Sequence, residues 1–378
     1  MNIYFDNAAT TRVRDEAIDA VLRVMREDYG NPSSVHNMGR RAAAELETAR
    51  KKIADALGAQ PGEIYFTSGG TEANNWAVFG CAENRSRFGN HIITSAIEHD
   101  AVIEPIKKLV SMGWEVTYLT PNEQGCVSVE DFSAALREDT VFASIMLVNN
   151  ETGAINNIGE YSKEIKRRRL NTVLHTDAVQ GLCKIPFTVK TLGAELVTVS
   201  AHKIHGPKGV GALYIKNGVK LPSLILGGGH ESGRRSGTEA VPAIAGFGEA
   251  ARLSFLEREE TAEAILKLRE HIIKRLSKDI PEAVIIGQDD SPFILSLSLP
   301  GYKSEVLMNF LGGEGICVSK SAACKKGARS RVLEAMRLKH DVIDGALRVS
   351  FSRYSTLSEA EYFVRTLKKA SESLLKAL

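Results

Sequence analysis

The chain has 378 residues, more than the roughly 250–300 at which a single hydrophobic core stops growing, so two domains are expected. Its 48 basic and 46 acidic side chains leave a formal net charge of +2. This near balance lacks the basic excess that a nucleic-acid-binding surface needs. No stretch has the features of a signal peptide or the ~20 apolar residues of a membrane span, so we expect a cytoplasmic protein without direct membrane or nucleic-acid partners.

The first predicted elements are two helices. Apolar residues recur at helical spacing from Asp15 to Glu27 and from Ala42 to Leu57, where Gly58 is a plausible stop. Helical stretches are also predicted at Thr71–Gly80 and Ile103–Met112. Short β-branched runs predict strands at Ile64–Phe66, His91–Thr94, Val116–Leu119, Val141–Val148, Val173–Thr176, Leu196–Ser200 and Gly211–Ile215. This alternation favours an α/β domain with a mainly parallel sheet.

The pattern changes after Gly228. A long, charge-rich helical region from Glu249 to Lys278 is followed by a strand at Phe293–Leu299 and a final helix at Ser358–Leu375. We therefore predict a domain boundary near residue 250.

The five cysteines are scattered and odd in number, and no two form a C-x-x-C pair. This argues against a disulfide framework or a zinc site, so we expect no metal. Four of them, Cys81, Cys126, Cys183 and Cys317, are expected to be small buried hydrophobic side chains. Cys324 differs because it lies among small residues and lysines, which is loop composition and favours a thiolate.

A glycine-rich turn, Thr67-Ser68-Gly69-Gly70-Thr71-Glu72, follows the predicted strand Ile64–Phe66 and opens a helix. It could be an ordinary strand–turn–helix junction. It could also be a phosphate cradle, in which small residues expose backbone N–H groups at the positive end of a helix.

Other polar residues follow predicted strands, where open α/β sheets bind ligands. His99 could be a structural histidine or a ring that stacks on a cofactor and moves protons. Asp177 could cap a helix or pair with a cofactor's pyridinium nitrogen, with Gln180 near the same ring. Lys203 follows Ser200-Ala201-His202 at the end of a buried strand, where a lysine can form a Schiff base with an aldehyde cofactor.

Arg348 lies inside an apolar strand pattern, Ala346-Leu347-Arg348-Val349-Ser350. On an edge strand it would point to solvent. If it is buried, it needs a partner, and a substrate carboxylate suits the guanidinium fork.

Together these residues resemble the cysteine desulfurases of the NifS/IscS type, within the class-V aminotransferase group of enzymes that use pyridoxal phosphate (PLP). The resemblance runs from Tyr4-Phe5-Asp6-Asn7-Ala8-Ala9-Thr10-Thr11 to Arg348-Val349-Ser350. Its further motifs are Gly30-Asn31-Pro32-Ser33-Ser34, Thr67-Ser68-Gly69-Gly70-Thr71-Glu72, Val148-Asn149-Asn150-Glu151-Thr152-Gly153, His202-Lys203, Gly206-Pro207-Lys208-Gly209 and Arg235-Ser236-Gly237-Thr238.

The resemblance implies the aspartate-aminotransferase-like α/β fold (fold type I). A large PLP-binding domain would span residues 14–250, and residues 1–13 with 251–378 would form a smaller α+β domain that carries the Cys324 loop. The implied catalytic residues are Lys203, which holds the cofactor, His99, which stacks on it, and Cys324, the nucleophile. The implied cofactor contacts are Gly70, Thr71, Asn150, Asp177, Gln180, Ser200, His202 and Thr238.

Arg348 and Asn150 are the implied contacts to the substrate, L-cysteine. Thr238 would reach the phosphate of a neighbouring subunit, which implies a homodimer. In the implied reaction Cys324 takes the substrate sulfur as a persulfide, alanine is released, and a sulfur-acceptor protein delivers the sulfur to iron–sulfur clusters or another thiolation pathway.

This chain departs from the family pattern around Cys324, where Lys320, Lys325 and Lys326 replace the usual small residues, and at His205, where many members have an aromatic residue. These departures leave the sulfur acceptor open. Three alternatives are a selenocysteine lyase, a related class-V aminotransferase and a non-catalytic docking subunit. The presence of both Cys324 and Arg348 argues against the aminotransferase, and the intact set of Lys203, Asp177, His99 and Cys324 argues against the docking subunit.

Overall fold

The computed structural model describes residues 2–287, 291–321 and 329–376. The strands are β1 (Ile3–Tyr4), β2 (Ile64–Thr67), β3 (His91–Ser95), β4 (Glu115–Leu119), β5 (Thr140–Ser144), β6 (Val173–Asp177), β7 (Leu196–Ser200), β8 (Gly211–Ile215), β9 (Val284–Ile286), β10 (Ile294–Ser298), β11 (Ile316–Cys317), β12 (Ser319–Lys320) and β13 (Ala346–Ser350).

The helices are α1 (Asp15–Glu27), α2 (Asn37–Leu57), α3 (Gly70–Arg85), α4 (Asp100–Val110), α5 (Val129–Ala135), α6 (Ile158–Arg167), α7 (Val189–Leu192), α8 (His230–Gly233), α9 (Val241–Leu256), α10 (Arg258–Asp279), α11 (Ser304–Gly313), α12 (Arg331–Ala335), α13 (His340–Asp344) and α14 (Leu357–Ser373). Short 3-10 turns occupy Pro61–Glu63 and Ala201–Lys203. None of the helices in the described ranges is both long and apolar enough to span a bilayer.

Within the described residues, seven strands form a large sheet in the order β2-β8-β7-β6-β5-β3-β4. β8 runs antiparallel to both of its neighbours, and the remaining pairs are parallel. The α/β domain with a mainly parallel sheet is therefore confirmed.

Both faces of the large sheet are covered. Successive residues of one strand, such as Phe142 and Ala143 in β5, belong to different hydrophobic clusters because side chains alternate across a strand. A parallel sheet buried on both sides requires apolar residues at consecutive positions, which explains the continuous apolar runs in the sequence.

A second sheet, in the described part of the chain, has the order β12-β13-β10-β9 and is antiparallel throughout. Its hydrophobic core is separate from that of the large sheet. Ala251, in α9, belongs to the first core, whereas Ile265, in α10, belongs to the second. Ile3 and Phe5, from the start of the chain, also belong to the second core. The division into residues 14–250 and 1–13 with 251–378 stays a prediction.

The long helical region predicted from Glu249 to Lys278 is confirmed, but it consists of two helices, because α9 ends at Leu256 and α10 begins at Arg258. Glu257 lies between the two helices, and its carboxylate accepts hydrogen bonds from Arg14 and Arg353. The predicted strand Val141–Val148 is also too long. β5 ends at Ser144, and the buried residues beyond it form part of a cavity wall.

Candidate active site

A cavity of about 370 Å³ lies where the carboxyl ends of β6 and β7 meet Arg348 of β13. Ligands of open α/β sheets bind at this edge, and the volume is within the range of small-molecule sites. The predicted site residues that line it are Gly70, Thr71, His99, Asn150, Asp177, Gln180, Ser200, His202, Lys203 and Arg348. Residues far apart in sequence therefore converge on one cavity.

Lys203 ends the 3-10 turn that follows β7. Its Nζ donates hydrogen bonds to the carbonyl oxygens of Ala8 and Ala9, each at 2.6 Å. Burial lowers the pKa of Lys203 to about 8, and the positive charge of Arg348 contributes to the decrease. Part of the amine population is then neutral near neutral pH, as attack on an aldehyde requires.

Asp177 is the last residue of β6, and its carboxylate is buried and held from two sides. Oδ2 accepts a hydrogen bond from Asn74 Nδ2 at 2.7 Å, and Oδ1 accepts one from the backbone N–H of Val179 at 3.0 Å. Carboxylate oxygens can accept further bonds, so Asp177 can also receive a protonated ring nitrogen in the cavity.

Asn74 was not predicted from the sequence. It lies four residues after Gly70 in α3 and therefore on the same face of the helix. Helical spacing from the glycine-rich turn is the signal that would have identified it. Asn74 Oδ1 is buried and has no hydrogen-bond partner among the described residues.

The amino-terminal end of α3 is shaped to accept an anion. Gly69 provides no side-chain cap, so backbone N–H groups of the first turn remain available. A Cβ at Gly70 would lie 3.0 Å from Val179 Cγ2 and 3.8 Å from Ser200 Cβ. The absent side chain therefore opens the space in front of the helix, and the helix dipole favours a negative group there.

His202 lines the cavity together with Ser200. One ring nitrogen of His202, Nδ1, lies 3.1 Å from Thr10 Oγ1. Burial and the neighbouring charge of Lys203 lower the pKa of His202 to about 4, so the ring is neutral near pH 7. A neutral imidazole can still donate one N–H to an anion. The residues of this region fit the phosphate of PLP.

His99 is exposed at the rim of the cavity and forms the amino-terminal cap of α4. Its Nδ1 accepts a hydrogen bond from the backbone N–H of Ala101 at 3.1 Å. This bond assigns the proton of the neutral ring to Nε2. The ring is thus fixed by its own helix, as a stacking residue should be.

Gln180 is buried and bonded at both ends of its amide. Nε2 donates to the carbonyl oxygen of Ala8 at 2.8 Å, and Oε1 accepts a hydrogen bond from Lys184 Nζ at 3.0 Å. Lys184 was not singled out from the sequence. Its spacing of four residues from Gln180 was the available signal.

Arg348 is 2% exposed, and β13 has neighbours on both sides in the four-stranded sheet. The alternative of a solvent-facing arginine on an edge strand is therefore wrong. Nη2 is 2.9 Å from Asp6 Oδ1, and Nη1 donates to the carbonyl oxygen of Asn150 at 3.0 Å. The Nε atom is buried without a partner in the described part of the chain, although the guanidinium borders the cavity.

Two predicted site residues are not among the described residues that line this cavity. Cys324, together with Lys325 and Lys326, lies outside the described residues. Thr238 is exposed in the segment that follows α8. Lys320, predicted to favour the Cys324 thiolate, forms an ion pair with Glu305 at 3.0 Å.

The remaining cysteines differ in exposure. Cys81 and Cys183 are buried, as predicted, and burial raises the pKa of the Cys183 thiol to about 12. Cys126 is only partly buried, and Cys317 is exposed. The prediction of a buried Cys317 is wrong because β11 pairs with β1 in a two-residue ladder whose second position, Tyr4 and Cys317, faces outwards.

His205, at a position where the sequence resemblance implies an aromatic residue, is buried. Its ring packs edge-to-face on Tyr354 at 5.2 Å, and its Nδ1 lies 2.8 Å from the carbonyl oxygen of Arg12. The imidazole thus keeps a ring contact and adds a polar contact to the amino-terminal segment.

The chain matches the family model described as aminotransferase class-V over residues 3–363. A cysteine desulfurase IscS of Methanosarcina thermophila is 41% identical over 376 residues, covering 98% of this chain and 92% of the relative. The cysteine desulfurase IscS of Dictyoglomus turgidum is also 41% identical, covering 98% and 95%. The solved structure of a NifS-like protein superposes with a TM-score of 0.94 at 40% identity, covering 99% of this chain and all of the other.

Proposed function

We propose, since this chain belongs to the class-V aminotransferase family and to its cysteine desulfurase branch, that it uses PLP to convert L-cysteine to L-alanine and holds the sulfur as a persulfide on Cys324. The observation that carries the proposal is the single cavity in which Lys203, Asp177 and Arg348 meet. A Schiff-base amine, a carboxylate for a ring nitrogen and a carboxylate-binding guanidinium are the groups that this reaction needs.

The cofactor would be held at three points. The first turn of α3, with Ser200 and His202, would take the phosphate, Asp177 the ring nitrogen and Lys203 the aldehyde carbon. His99 would cover one face of the ring. When bound, PLP supplies an electron sink that stabilises negative charge next to the amino acid's α-carbon.

The substrate carboxylate would bind at Arg348, whose buried Nε has no partner among the described residues. Asp6 and the carbonyl of Asn150 fix the orientation of that guanidinium. Lys203 Nζ, with its lowered pKa, is able to hold or release a proton near neutral pH.

The sulfur step involves Cys324. In the net reaction, the Cβ–S bond of cysteine is replaced by a Cβ–H bond, and a new S–S bond converts the Cys324 thiol into a persulfide. Residues on the carboxyl side of Cys324 are anchored beside the site: Arg331 donates to the carbonyl oxygens of Ala96 and Glu98, both at 2.6 Å. These contacts join this part of the chain to the loop that carries His99.

The proposal includes a homodimer and a sulfur-acceptor protein. Thr238 is exposed and lies outside the cavity of its own chain, so it is available to a site on a second copy. The persulfide sulfur would pass to the acceptor protein, for iron–sulfur clusters or another thiolation pathway.

Three proteins test the proposal: wild type, Lys203→Ala and Cys324→Ser. After a pulse of L-cysteine, wild type should release alanine and gain one sulfur on Cys324, detected by intact-mass analysis and lost on reduction. Lys203→Ala should do neither. Cys324→Ser should bind PLP and change its absorbance with cysteine but gain no sulfur.

The same assay separates the alternatives. Alanine formation from selenocysteine but not from cysteine would indicate a selenocysteine lyase. Sulfur on Cys317 or Cys126 with Cys324 unmodified would contradict the assigned nucleophile.

A further inference from the structure

Lys184 is a buried lysine outside the set of residues that the proposed reaction uses. Lys184 is 7% exposed, and it forms no ion pair within the part of the chain that the structure describes. Burial lowers the pKa of Lys184 to about 7, and the charges of Lys203 and Arg348 act in the same direction. An amine in such a place is costly and needs a compensating contact.

The compensating contact is Gln180. Lys184 Nζ donates to Gln180 Oε1 at 3.0 Å, and the ring of Phe293 lies 5.9 Å from Nζ on another side. Backbone bonds from Leu182 to Ala178 and from Lys184 to Gly181 wind this segment into helical turns. That winding brings positions 180 and 184 onto one face.

The two hydrogen bonds of Gln180 fix which end of its amide is available to the cavity. Oε1 is engaged by Lys184, and one N–H of Nε2 is engaged by the Ala8 carbonyl. The second N–H of Nε2 has no acceptor among the described residues, and Gln180 lines the cavity. Ala8 also accepts from Lys203, so Lys184, Gln180, Ala8 and Lys203 form one connected set of contacts.

We infer that Lys184 is a positioning residue that holds the amide of Gln180 with its N–H toward the cavity, where that N–H would donate to the phenolic oxygen of PLP when the cofactor is bound. This inference rests on the proposed function. A donor at that oxygen stabilises its anionic form and thereby lowers the pKa of the nitrogen that joins the cofactor to Lys203.

Further charged groups near Lys184 line a second, smaller cavity. This cavity, of about 30 Å³, is lined by both Lys184 and Lys203. The other titratable or charged groups on its wall are Cys183, His205, Glu257 and Arg353. Glu257 already accepts from Arg14 and Arg353, so the observed partner of Lys184 is the Gln180 amide.

The test is a pH titration of the absorbance of bound PLP in the holoenzyme. The absorbance reports the protonation of the nitrogen that joins the cofactor to Lys203. Lys184→Met should raise the pKa of that nitrogen by about 0.5–1 unit, since a weakened hydrogen bond is worth roughly 1 kcal/mol. Lys184→Arg, which keeps a donor, should restore part of the wild-type value. Cys183→Ala, at the neighbouring buried position, serves as the control for altered packing and should leave the pKa unchanged.

A second arm asks whether Lys184 acts through Gln180. In a Gln180→Leu background, Lys184→Met should cause no further shift. An unshifted transition in Lys184→Met, or an equal shift with and without Gln180, would overturn the inference. If Lys184→Met does not fold, Lys184→Arg and Lys184→Gln can be compared in the wild-type and Gln180→Leu backgrounds. That comparison also tests whether Lys184 acts through Gln180. A wild-type protein that binds no PLP would refute the proposed function instead.

Discussion

At the scale of single residues, the site is built from polar groups whose surroundings change their chemistry. Lys203 and His202 both have lowered pKa values because they are buried near positive charge. Glu98, which precedes His99, shows the opposite effect. Its Oε1 accepts from Ser95 Oγ at 2.6 Å and from the backbone N–H of Met146 at 2.8 Å, while Oε2 has no partner among the described residues.

Burial raises the pKa of Glu98 from 4.5 to about 8. The folded state therefore holds this proton more tightly than the unfolded state. The stabilisation is complete below the unfolded pKa and is lost as pH rises through the folded value, with a slope of at most about 1.4 kcal/mol per pH unit.

Glu98→Gln removes the ionisation but keeps the accepting oxygen. We expect the loss of unfolding free energy between pH 5 and pH 8 to be smaller in this variant than in wild type, as measured by urea denaturation. Glu83→Gln, at an exposed position, is the matched control. An identical pH dependence in wild type and Glu98→Gln would show that Glu98 is ionised throughout.

At the scale of elements, the amino-terminal end of α3 has a steric requirement at Gly70. Gly70→Ala places a methyl group 3.0 Å from Val179 Cγ2, a contact that forces a neighbour to move. We expect the affinity of the apo protein for PLP to fall by about tenfold, equivalent to about 1.4 kcal/mol.

Gly62→Ala provides the control for that experiment, because a Cβ there meets no atom within 4 Å. Titration of both apo variants with PLP, followed by absorbance, measures the difference. Equal PLP affinities of the two variants would show that the first turn of α3 does not bind the phosphate.

Elements of the large sheet were predictable because their strands are continuously apolar and their helices amphipathic. The limits appear where tertiary contacts override the local pattern. At residues 145–148 the apolar run continues past the end of β5. The backbone N–H groups of Ile145 and Leu147 still donate to β6, but an isolated bridge joins Val148 to Ile155, and Met146 and Val148 line the cavity. At Glu257 the helical pattern continues through a break where that residue pairs with Arg14.

At the scale of the whole molecule, the convergence of residues following different strands could be predicted from the geometry of parallel sheets. The contributions of Asp6, Ala8 and Ala9 could not. Their roles depend on the amino-terminal segment reaching Arg348, Gln180 and Lys203, and such long-range packing leaves no local signal.

The proposed dimer makes a prediction at the same scale. If Thr238 of one subunit serves the site of the other, a heterodimer of Lys203→Ala and Thr238→Asp subunits has one site with both residues intact. Co-expressed variants should recover about a quarter of wild-type alanine formation, because statistical pairing makes half of the dimers mixed and each has one intact site of two.

Each variant alone should be inactive in that assay. Leu226, which precedes α8 as Thr238 follows it, is 83% exposed and is an apolar residue that a second subunit would cover. No recovery on co-expression, or a fully active monomer in sedimentation at low concentration, would contradict the shared site.

The order of strands also bears on how the protein is made on the ribosome. β2, which leads into the phosphate cradle, joins the rest of the large sheet through β8, so that sheet closes only after residue 215 has emerged. The residues that would hold the cofactor, apart from the partner's contribution, precede that point. Arg348 and its pairing with Asp6 require translation of more than a hundred further residues, which takes on the order of 10 s at typical synthesis rates. A nascent chain would thus be able to acquire its cofactor before it can bind an amino acid, and synthesis itself would delay turnover until both ends of the polypeptide have met.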